Sequence, residues 1–287
     1  MTNVPPSARP SAAQAAVYLS PHLDDAALSC GGTIHRTVGM GGSVLVVTIF
    51  AGEPAPLSGP RPDQETQAGP AADAGQFSSF ALLQHAYWGN PRRPIALRRA
   101  EDVAALTLLG ARARHLDYLD AVYRAAPGGR WLYVDSATLF GGVDPQDPVT
   151  SGDLAQSLVD LLPPPGEATV YAPLGIGRHV DHLIVHAAAR HLHSAGHRVA
   201  YYEDYPYAEA PGAVDAALDR TGACTWAEEV VPLDPADVGA RAAAVAYYRS
   251  QLGVLFYGAE AMPGHIWSFA ATRGGPCLAE RIWWPDD

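Results

Sequence analysis

AAVYLSPHLDD, residues 15–25 of the 287-residue chain, joins a short apolar run directly to a cluster of ionisable side chains. The β-formers in Ala15–Ser20 predict a buried strand, which ends before Pro21. The small and apolar residues after the run predict a helix packed tightly against a sheet, and the glycine pair at 31–32 allows that close approach. The loop between strand and helix therefore carries three polar side chains, His22, Asp24 and Asp25.

A second polar cluster, His179-Val180-Asp181-His182, follows a second predicted strand at 168–172. From about His182 to His193 the sequence predicts a helix. Open α/β sheets build their sites at the carboxyl ends of their strands, so we expect both clusters to meet at one end of one sheet. Imidazole and carboxylate groups brought together in this way are the ligands and proton carriers of a mononuclear metal hydrolase.

Strands alternate with helical stretches through most of the chain, which predicts an α/β fold with a doubly wound, mostly parallel, Rossmann-like sheet. Further strands are predicted at 43–50, 114–119 and 199–202. A small C-terminal extension that contains β-structure is expected after about residue 225, with a helix at 237–251 and strands near 266–270 and 279–283. The prediction is a single domain over 15–287, preceded by a disordered tail at 1–14.

Two segments rich in Pro and Gly interrupt the alternation of strands and helices. Residues 53–89 predict a long excursion over the site, because loops of that length are usually functional or disordered. Residues 124–153 predict a second insertion that shapes the substrate pocket.

Composition excludes several classes of function. The net charge of −11 and the pI near 5.4 argue against a nucleic-acid partner, since phosphate recognition depends on clustered Lys and Arg. No stretch approaches the ~20 apolar residues of a membrane span, and residues 1–14 lack the layout of a signal peptide. The three cysteines show no Cys-x-x-Cys spacing. We therefore expect a cytoplasmic protein without a membrane or nucleic-acid partner, and the sequence leaves its oligomeric state open.

The two polar clusters, in this order and with a glycine pair between them, resemble the zinc-dependent N-acetylglucosaminyl deacetylases of the PIG-L/LmbE type. The family pattern is Pro/Ala-His-x-Asp-Asp after the first strand, then Gly-Gly, then His-x-Asp-His in the second half. Two weaker features are similar to the family as well, Arg98-Arg99-Ala100-Glu101 and Tyr248-Arg249-Ser250-Gln251. The resemblance implies an LmbE-type fold and removal of an N-acetyl or other N-acyl group from an amino sugar or its conjugate.

The resemblance also implies a role for each matching residue. His22, Asp25 and His182 correspond to the zinc ligands, a set that suits Fe²⁺ as well. Asp24 corresponds to the general base that takes a proton from the zinc-bound water and returns it to the leaving amine. His179 corresponds to the histidine that stabilises the oxyanion as an imidazolium. Asp181 is then expected to hold and charge His179.

One position departs from the family pattern. Many of these deacetylases carry a tyrosine two residues before the first histidine of the second cluster, and here Gly177 stands there. Tyr171 and Tyr205 are candidates for a replacement hydroxyl by their rough positions only. Arg98 and Arg178 are candidate substrate-binding residues, Arg178 for an anionic substrate. His186 shares a helix face with His182, and we expect it to belong to a solvated helix rather than to the ligands.

Two alternatives stay open beside the hydrolase. One is a nucleotide-binding or non-catalytic protein on the same sheet, for which the glycines at 39, 41 and 42 would form the phosphate loop. They precede a predicted strand, whereas a dinucleotide fingerprint follows one. A binding protein that uses zinc structurally is opposed by Asp24, because structural zinc sites are closed by four protein ligands and have no need of an unligated carboxylate beside them.

Overall fold

A seven-stranded sheet forms the centre of the molecule. The structure is a computed structural model that describes residues 15–54, 77–89, 91–220 and 225–286. The strands are β1 Ala15–Ser20, β2 Val44–Thr48, β3 Arg112–His115, β4 Ala168–Pro173, β5 Arg198–Tyr202, β6 Trp226–Leu233 and β7 Leu278–Pro285. Their order is β3-β2-β1-β4-β5-β7-β6. The first five strands are parallel, and β7 pairs antiparallel with both β5 and β6.

Helices cover both faces of this sheet. They are α1 Asp25–Gly39, α2 Ser79–Tyr87, α3 Pro94–Leu108, α4 Ser136–Leu139, α5 Ser151–Val159, α6 Val180–Ser194, α7 Ala213–Asp219, α8 Pro235–Val245, α9 Arg249–Phe256 and α10 Met262–Arg273. Alternate residues of β1 belong to different cores. Tyr18 packs in one apolar cluster with α1, α3 and α8, whereas Val17 and Leu19 pack in another with α5 and α6. The doubly wound α/β prediction is therefore confirmed.

The order of the strands explains why the polar clusters meet. Strand β1 pairs directly with β4, with Ala15 opposite Ala168 and Tyr18 opposite Tyr171. Both strands run in the same direction, so the loops that follow them leave the same edge of the sheet. The glycine loop around residue 41 comes before β2 and therefore lies at the opposite edge.

The glycine pair of α1 has the close contacts that the sequence predicts. A Cβ atom on Gly31 would lie 2.8 Å from Cγ of Arg241 in α8, and one on Gly32 would lie 2.5 Å from Cδ1 of Leu233 in β6. Glycine at these two positions lets α1 approach both neighbours, which fixes the helix that begins at Asp25.

Some expectations for the C-terminal part are wrong in detail. The strand predicted near 266–270 lies inside α10, because Ile266, Phe269 and Ala270 are buried at the i, i+3, i+4 spacing of a helix face. The helix predicted at 237–251 is divided into α8 and α9. Strand β6 was not anticipated, because it is an edge strand with several exposed residues and lacks a buried apolar run.

Parts of the other expectations lie outside the described residues. These parts include the tail at 1–14 and residues 55–76 of the first insertion, whose described end forms α2. The second insertion contains the short helix α4 and leads into α5. Within the described ranges, no helix combines the length and the apolar character that crossing a membrane requires. The single-domain assignment stays a prediction.

Candidate active site

Two buried polar clusters come together in one cleft at the carboxyl ends of β1 and β4. His22 follows β1, while His179 and His182 lie at the start of α6 after β4. The ring centroid of His22 is 4.7 Å from that of His179 and 5.3 Å from that of His182. One potential ligand atom from each of these three histidines lies within 4.8 Å of the others, and the same holds for His22, Asp120 and Asp181.

The Oδ2 atom of Asp25 faces one ring nitrogen from each of two histidines. It lies 3.1 Å from Nδ1 of His22 and 3.3 Å from Nε2 of His182. The far nitrogen of each ring has its own carboxylate, with His22 Nε2 2.9 Å from Asp181 Oδ2 and His182 Nδ1 2.6 Å from Asp204 Oδ1. Ligating histidines in proteins almost always donate the other ring N–H to a carboxylate, a backbone carbonyl or water, and the carboxylates here can serve in that way.

The charges around this group favour a cation between the carboxylates. Burial opposes a charge on His22, but its contacts with Asp181 and Asp25 outweigh burial and raise its pKa well above the usual value. Burial is likewise outweighed at His182, where Asp25 and Asp204 raise the pKa to about 9. Burial would raise the pKa of Asp25, yet His182 and His22 hold it well below its usual range. Two imidazoles and one carboxylate are a donor set that fits Zn²⁺ or Fe²⁺.

Asp24 is buried next to this group, and its role differs from that of a helix cap. It occupies the N-cap position of α1, but its side chain makes no capping hydrogen bond. Burial raises its pKa to about 6, against the effect of Arg98, whose Nη2 lies 3.6 Å from Oδ1. Asp24 also lines the cleft. This carboxylate can therefore exchange a proton near neutral pH, as a general base requires.

His179 has a different environment from the other two histidines. Its Nδ1 accepts a hydrogen bond of 3.2 Å from the backbone N–H of Asp181. Burial and then the neighbouring His22 hold the pKa of His179 well below its usual value. A neutral ring that accepts at Nδ1 carries its proton on Nε2, and His179 lines the cleft.

The sequence predicts that Asp181 holds His179, but the side chain of Asp181 does not reach that ring. Its Oδ2 faces Nε2 of His22, and its Oδ1 lies 2.6 Å from Nη1 of Arg124. The backbone N–H of Ala121 donates to Oδ2 at 3.1 Å. At the start of α6, Asp181 contacts His179 through its backbone N–H. The side chain of Asp181 points instead toward His22 and the buried guanidinium of Arg124.

Gly177 leaves room for an aromatic ring from another part of the chain. Its φ of +78° is the left-handed conformation that favours glycine, and a Cβ atom there would lie 2.5 Å from Cγ of Tyr207. Tyr207 follows β5 and lines the cleft. Of the two tyrosines proposed from sequence, Tyr205 lines the cleft, whereas Tyr171 stacks on Tyr18 within the sheet, with centroids 4.6 Å apart.

Of the three other polar residues singled out from sequence, Arg98 lines the cleft, whereas Arg178 and His186 do not. Arg98 is buried, lines the cleft and lies 4.8 Å from the ring centroid of Trp88. Arg178 is not among the residues that line this cleft, and its Nη2 donates to the backbone oxygen of Gly141 at 2.8 Å. His186 is buried rather than solvated, and its Nδ1 lies 3.1 Å from the backbone oxygen of Pro173.

Four residues around the cleft were not predicted from the sequence: Asp120, Arg124, Asp204 and Tyr207. Asp204 comes two residues after β5, so the rule that places sites at the carboxyl ends of strands could have indicated it. Arg124 and Tyr207 lie in irregular segments, where nothing in the local pattern predicts which way the side chain points.

Much of the remaining cleft wall is apolar. The apolar and aromatic lining residues include Phe80 and Trp88 from the end of the first insertion, Leu139 and Phe140 from the second, and Val254 and Leu255 from α9. Both predicted insertions thus contribute side chains to this cleft.

Comparison with known proteins gives consistent similarities. Residues 17–193 match the family described as GlcNAc-PI de-N-acetylase, PIG-L. The chain is 30% identical over 205 residues to 2′-N-acetylparomamine deacetylase of Niallia circulans, which covers 68% of each protein. It is 29% identical over 224 residues to the Streptomyces fradiae protein of the same name, which covers 77% of this chain and 66% of that protein. The crystal structure of a zinc-inhibited form of teicoplanin deacetylase Orf2 is similar with a TM-score of 0.68 and 26% identity, over 95% of this chain and 99% of that one.

Proposed function

Because this chain belongs to the PIG-L family of de-N-acetylases, we propose that it hydrolyses the N-acetyl or other N-acyl amide of an amino-sugar conjugate. The reaction adds water across the amide, so the products are a free amine and a carboxylic acid. The arrangement that carries the proposal is the pair of histidine nitrogens facing one oxygen of Asp25, with Asp24 beside them in the same cleft.

The proposed metal ligands are His22, Asp25 and His182. Their donor atoms fit a divalent ion, because Asp25 Oδ2 lies close to both nitrogens and the opposite nitrogen of each ring faces a carboxylate. When bound, Zn²⁺ or Fe²⁺ supplies Lewis-acid activation of water and of the substrate carbonyl.

Asp24 is the proposed general base. Its carboxylate accepts a proton from the attacking water and later returns a proton to the nitrogen of the leaving amine. Burial brings its pKa to about 6, so the group is ionised at neutral pH and still basic enough to accept a proton. Arg98 has its Nη2 3.6 Å from this carboxylate and is proposed to contact the substrate from the cleft wall.

His179 is the proposed hydrogen-bond donor to the carbonyl oxygen as that oxygen gains negative charge. The backbone N–H of Asp181 occupies Nδ1, which leaves the Nε2 proton for the substrate. The low pKa of His179 favours a neutral donor over the imidazolium that the family resemblance implies. Asp181 is proposed to act on His22 instead, through the contact with Nε2.

The substrate class is proposed from the relatives and from the cleft. Two relatives are named for 2′-N-acetylparomamine and a structural neighbour for teicoplanin, so the shared chemistry is an acylated amino group on a glycoside. In this chain polar groups surround the proposed reaction centre, while aromatic and aliphatic side chains such as Trp88 and Phe140 form the wall. We therefore expect a conjugate with an apolar portion beside the sugar.

The test combines metal content with amine release. Purified protein is assayed for zinc and iron, then for amine release from N-acetylparomamine and N-acetylglucosamine conjugates before and after chelation. Zinc is titrated below and above one equivalent, because a similar enzyme is known in a zinc-inhibited form. One ion per chain with chelator-sensitive amine release supports the proposal. Amine release that persists in metal-free protein would contradict it.

A further inference from the structure

Arg124 is a buried cation that lies behind the proposed metal ligands, outside the cleft itself. Arg124 is 2% exposed and is not among the residues that line the cleft. The guanidinium joins two carboxylates. Nη1 lies 2.6 Å from Asp181 Oδ1, while Nε and Nη2 both lie 3.0 Å from Asp147 Oδ2. Nη1 also donates to the backbone oxygen of Leu119 at 3.0 Å. Arg124 thus does not line the cleft, and its contact with Asp181 is the one that leads directly to a proposed ligand.

Asp181 has both oxygens committed, and each has a separate partner. Oδ1 pairs with Arg124, whereas Oδ2 accepts from the backbone N–H of Ala121 and faces Nε2 of His22 at 2.9 Å. The ion pair at Oδ1 and the two contacts at Oδ2 together restrict the orientation of this carboxylate, and its Oδ2 in turn faces the ring of His22 at Nε2. The opposite nitrogen of that ring then points at Asp25 Oδ2, 3.1 Å away.

Arg124 also provides the charge that this carboxylate requires. Asp181 is completely buried, and Asp120 and Asp25 are close to the same histidine ring. A buried carboxylate without a counterion is costly, and removal of one partner of such a pair leaves the other charge uncompensated. The guanidinium suits the position because its planar fork contacts two carboxylates at once.

The anchor of Arg124 lies in the second insertion, 124–153. Tyr133 donates its hydroxyl to the same Asp147 oxygen at 2.7 Å, and Arg124 lies over the rings of Phe50 and Tyr133 at 4.9 and 5.3 Å. A continuous chain of contacts therefore runs from Tyr133 through Asp147, Arg124 and Asp181 to His22.

We propose that Arg124 is a positioning residue that holds Asp181 against His22 and so couples the insertion 124–153 to the proposed metal site. The inference rests on the proposed function, because it takes His22 as a metal ligand. Removal of a group that contacts a ligating histidine typically costs 10–100-fold in metal affinity. Arg124 acts on that group, Asp181, so we expect a loss at the lower end of that range, about tenfold, when Arg124 is removed.

The experiment measures metal affinity, which does not depend on finding the substrate. Zn²⁺ and Co²⁺ are titrated into metal-free wild-type protein and into Arg124→Met, with the Co²⁺ absorption spectrum as a record of ligand geometry. The control is Arg241→Met, since Arg241 is also fully buried and pairs with a carboxylate, that of Glu280 at 3.3 Å. Its Nη2 donates to the backbone oxygen of Leu28 in α1, and its side chain has no ion pair with a proposed ligand.

We expect Arg124→Met to bind both metals about tenfold more weakly, with an altered Co²⁺ spectrum. Arg241→Met is expected to lose stability but to keep metal affinity within about twofold. Wild-type affinity and spectrum in a folded Arg124→Met would overturn the inference and leave the proposed function intact.

If Arg124→Met does not fold, Asp147→Asn serves as the second variant. It keeps Arg124 and removes only the charge of its outer anchor, so we expect a loss of metal affinity of severalfold, again with no change in the Arg241 control. Unchanged affinity in Asp147→Asn would overturn the coupling to the insertion. Failure of the wild-type protein to bind either metal would contradict the proposed function itself.

Discussion

The replacement His186→Asn should make the protein less sensitive to acid. His186 lies on α6, one turn beyond the proposed ligand His182, and is buried against Tyr201 with centroids 4.7 Å apart. Burial lowers its pKa to about 4, although a hydrogen bond to the backbone oxygen of Pro173 acts in the opposite direction. Asparagine can place an amide N–H near the position of Nδ1 and keep that hydrogen bond, but it has no group that titrates.

The sign of the effect follows from the lowered pKa. The unfolded chain binds a proton at His186 near pH 6.5, whereas the folded chain resists it until about pH 4. Stability from the neutral ring is therefore complete above pH 6.5 and is lost as the pH falls through that window. The difference between the two pKa values corresponds to ~3 kcal/mol once the window is crossed, of which ~2 kcal/mol is lost by pH 5.

The assay is urea unfolding of the wild type and His186→Asn at pH 8 and at pH 5, both with chelator present. Other ionisable groups titrate in the same range, but they are shared by the two proteins and cancel in the comparison. We expect the wild type to lose ~2 kcal/mol more than the variant between the two pH values. Equal losses in both proteins would refute the assignment of a buried, neutral His186.

Three further results are expected. Asp24→Asn should keep metal affinity and lose at least about a hundredfold in turnover, measured as amine release, because it removes only the proposed base; near-normal turnover would exclude Asp24 from that role. His182→Ala should lose metal by elemental analysis, whereas His186→Ala on the same helix should retain it. Gly177→Ala should lower the free energy of unfolding by about 1–3 kcal/mol more than Gly212→Ala. Both glycines have positive φ, but only the Cβ at 177 would meet a ring, that of Tyr207, so equal losses would contradict the packing argument.

The sequence predicts the parallel part of the fold because its signals are local. Buried strands such as β1 and β4 are continuous apolar runs, and the residue that ends the run marks the edge of the sheet. The C-terminal part is less regular. Residues 266–270 have the β-formers of a strand, yet they form part of α10, since contacts with β7 and α8 rather than intrinsic propensity determine the state of this segment.

The candidate site divides in the same way. That His22, Asp25 and His182 lie close together can be predicted, because each follows a strand or begins a helix within a recognisable motif. Their partners cannot be assigned so simply. To predict Asp204, one must know that β5 lies next to β4. To predict Arg124, one must know that the start of the second insertion contacts Asp181. The side-chain direction of Asp181 depends on both the start of α6 and that buried guanidinium.

This difference between the proposed ligands and their partners bears on how such a site is specified. The carboxyl ends of neighbouring strands can bring two imidazoles and a carboxylate together. They do not determine which nitrogen of each ring faces Asp25. Asp204 decides it for His182 and Asp181 for His22, at 2.6 and 2.9 Å. One of these carboxylates follows the neighbouring strand, whereas the other is held by an arginine at the start of the insertion. The inward direction of Nδ1 in His22 is therefore a property of the folded insertion as much as of the motif that contains the histidine.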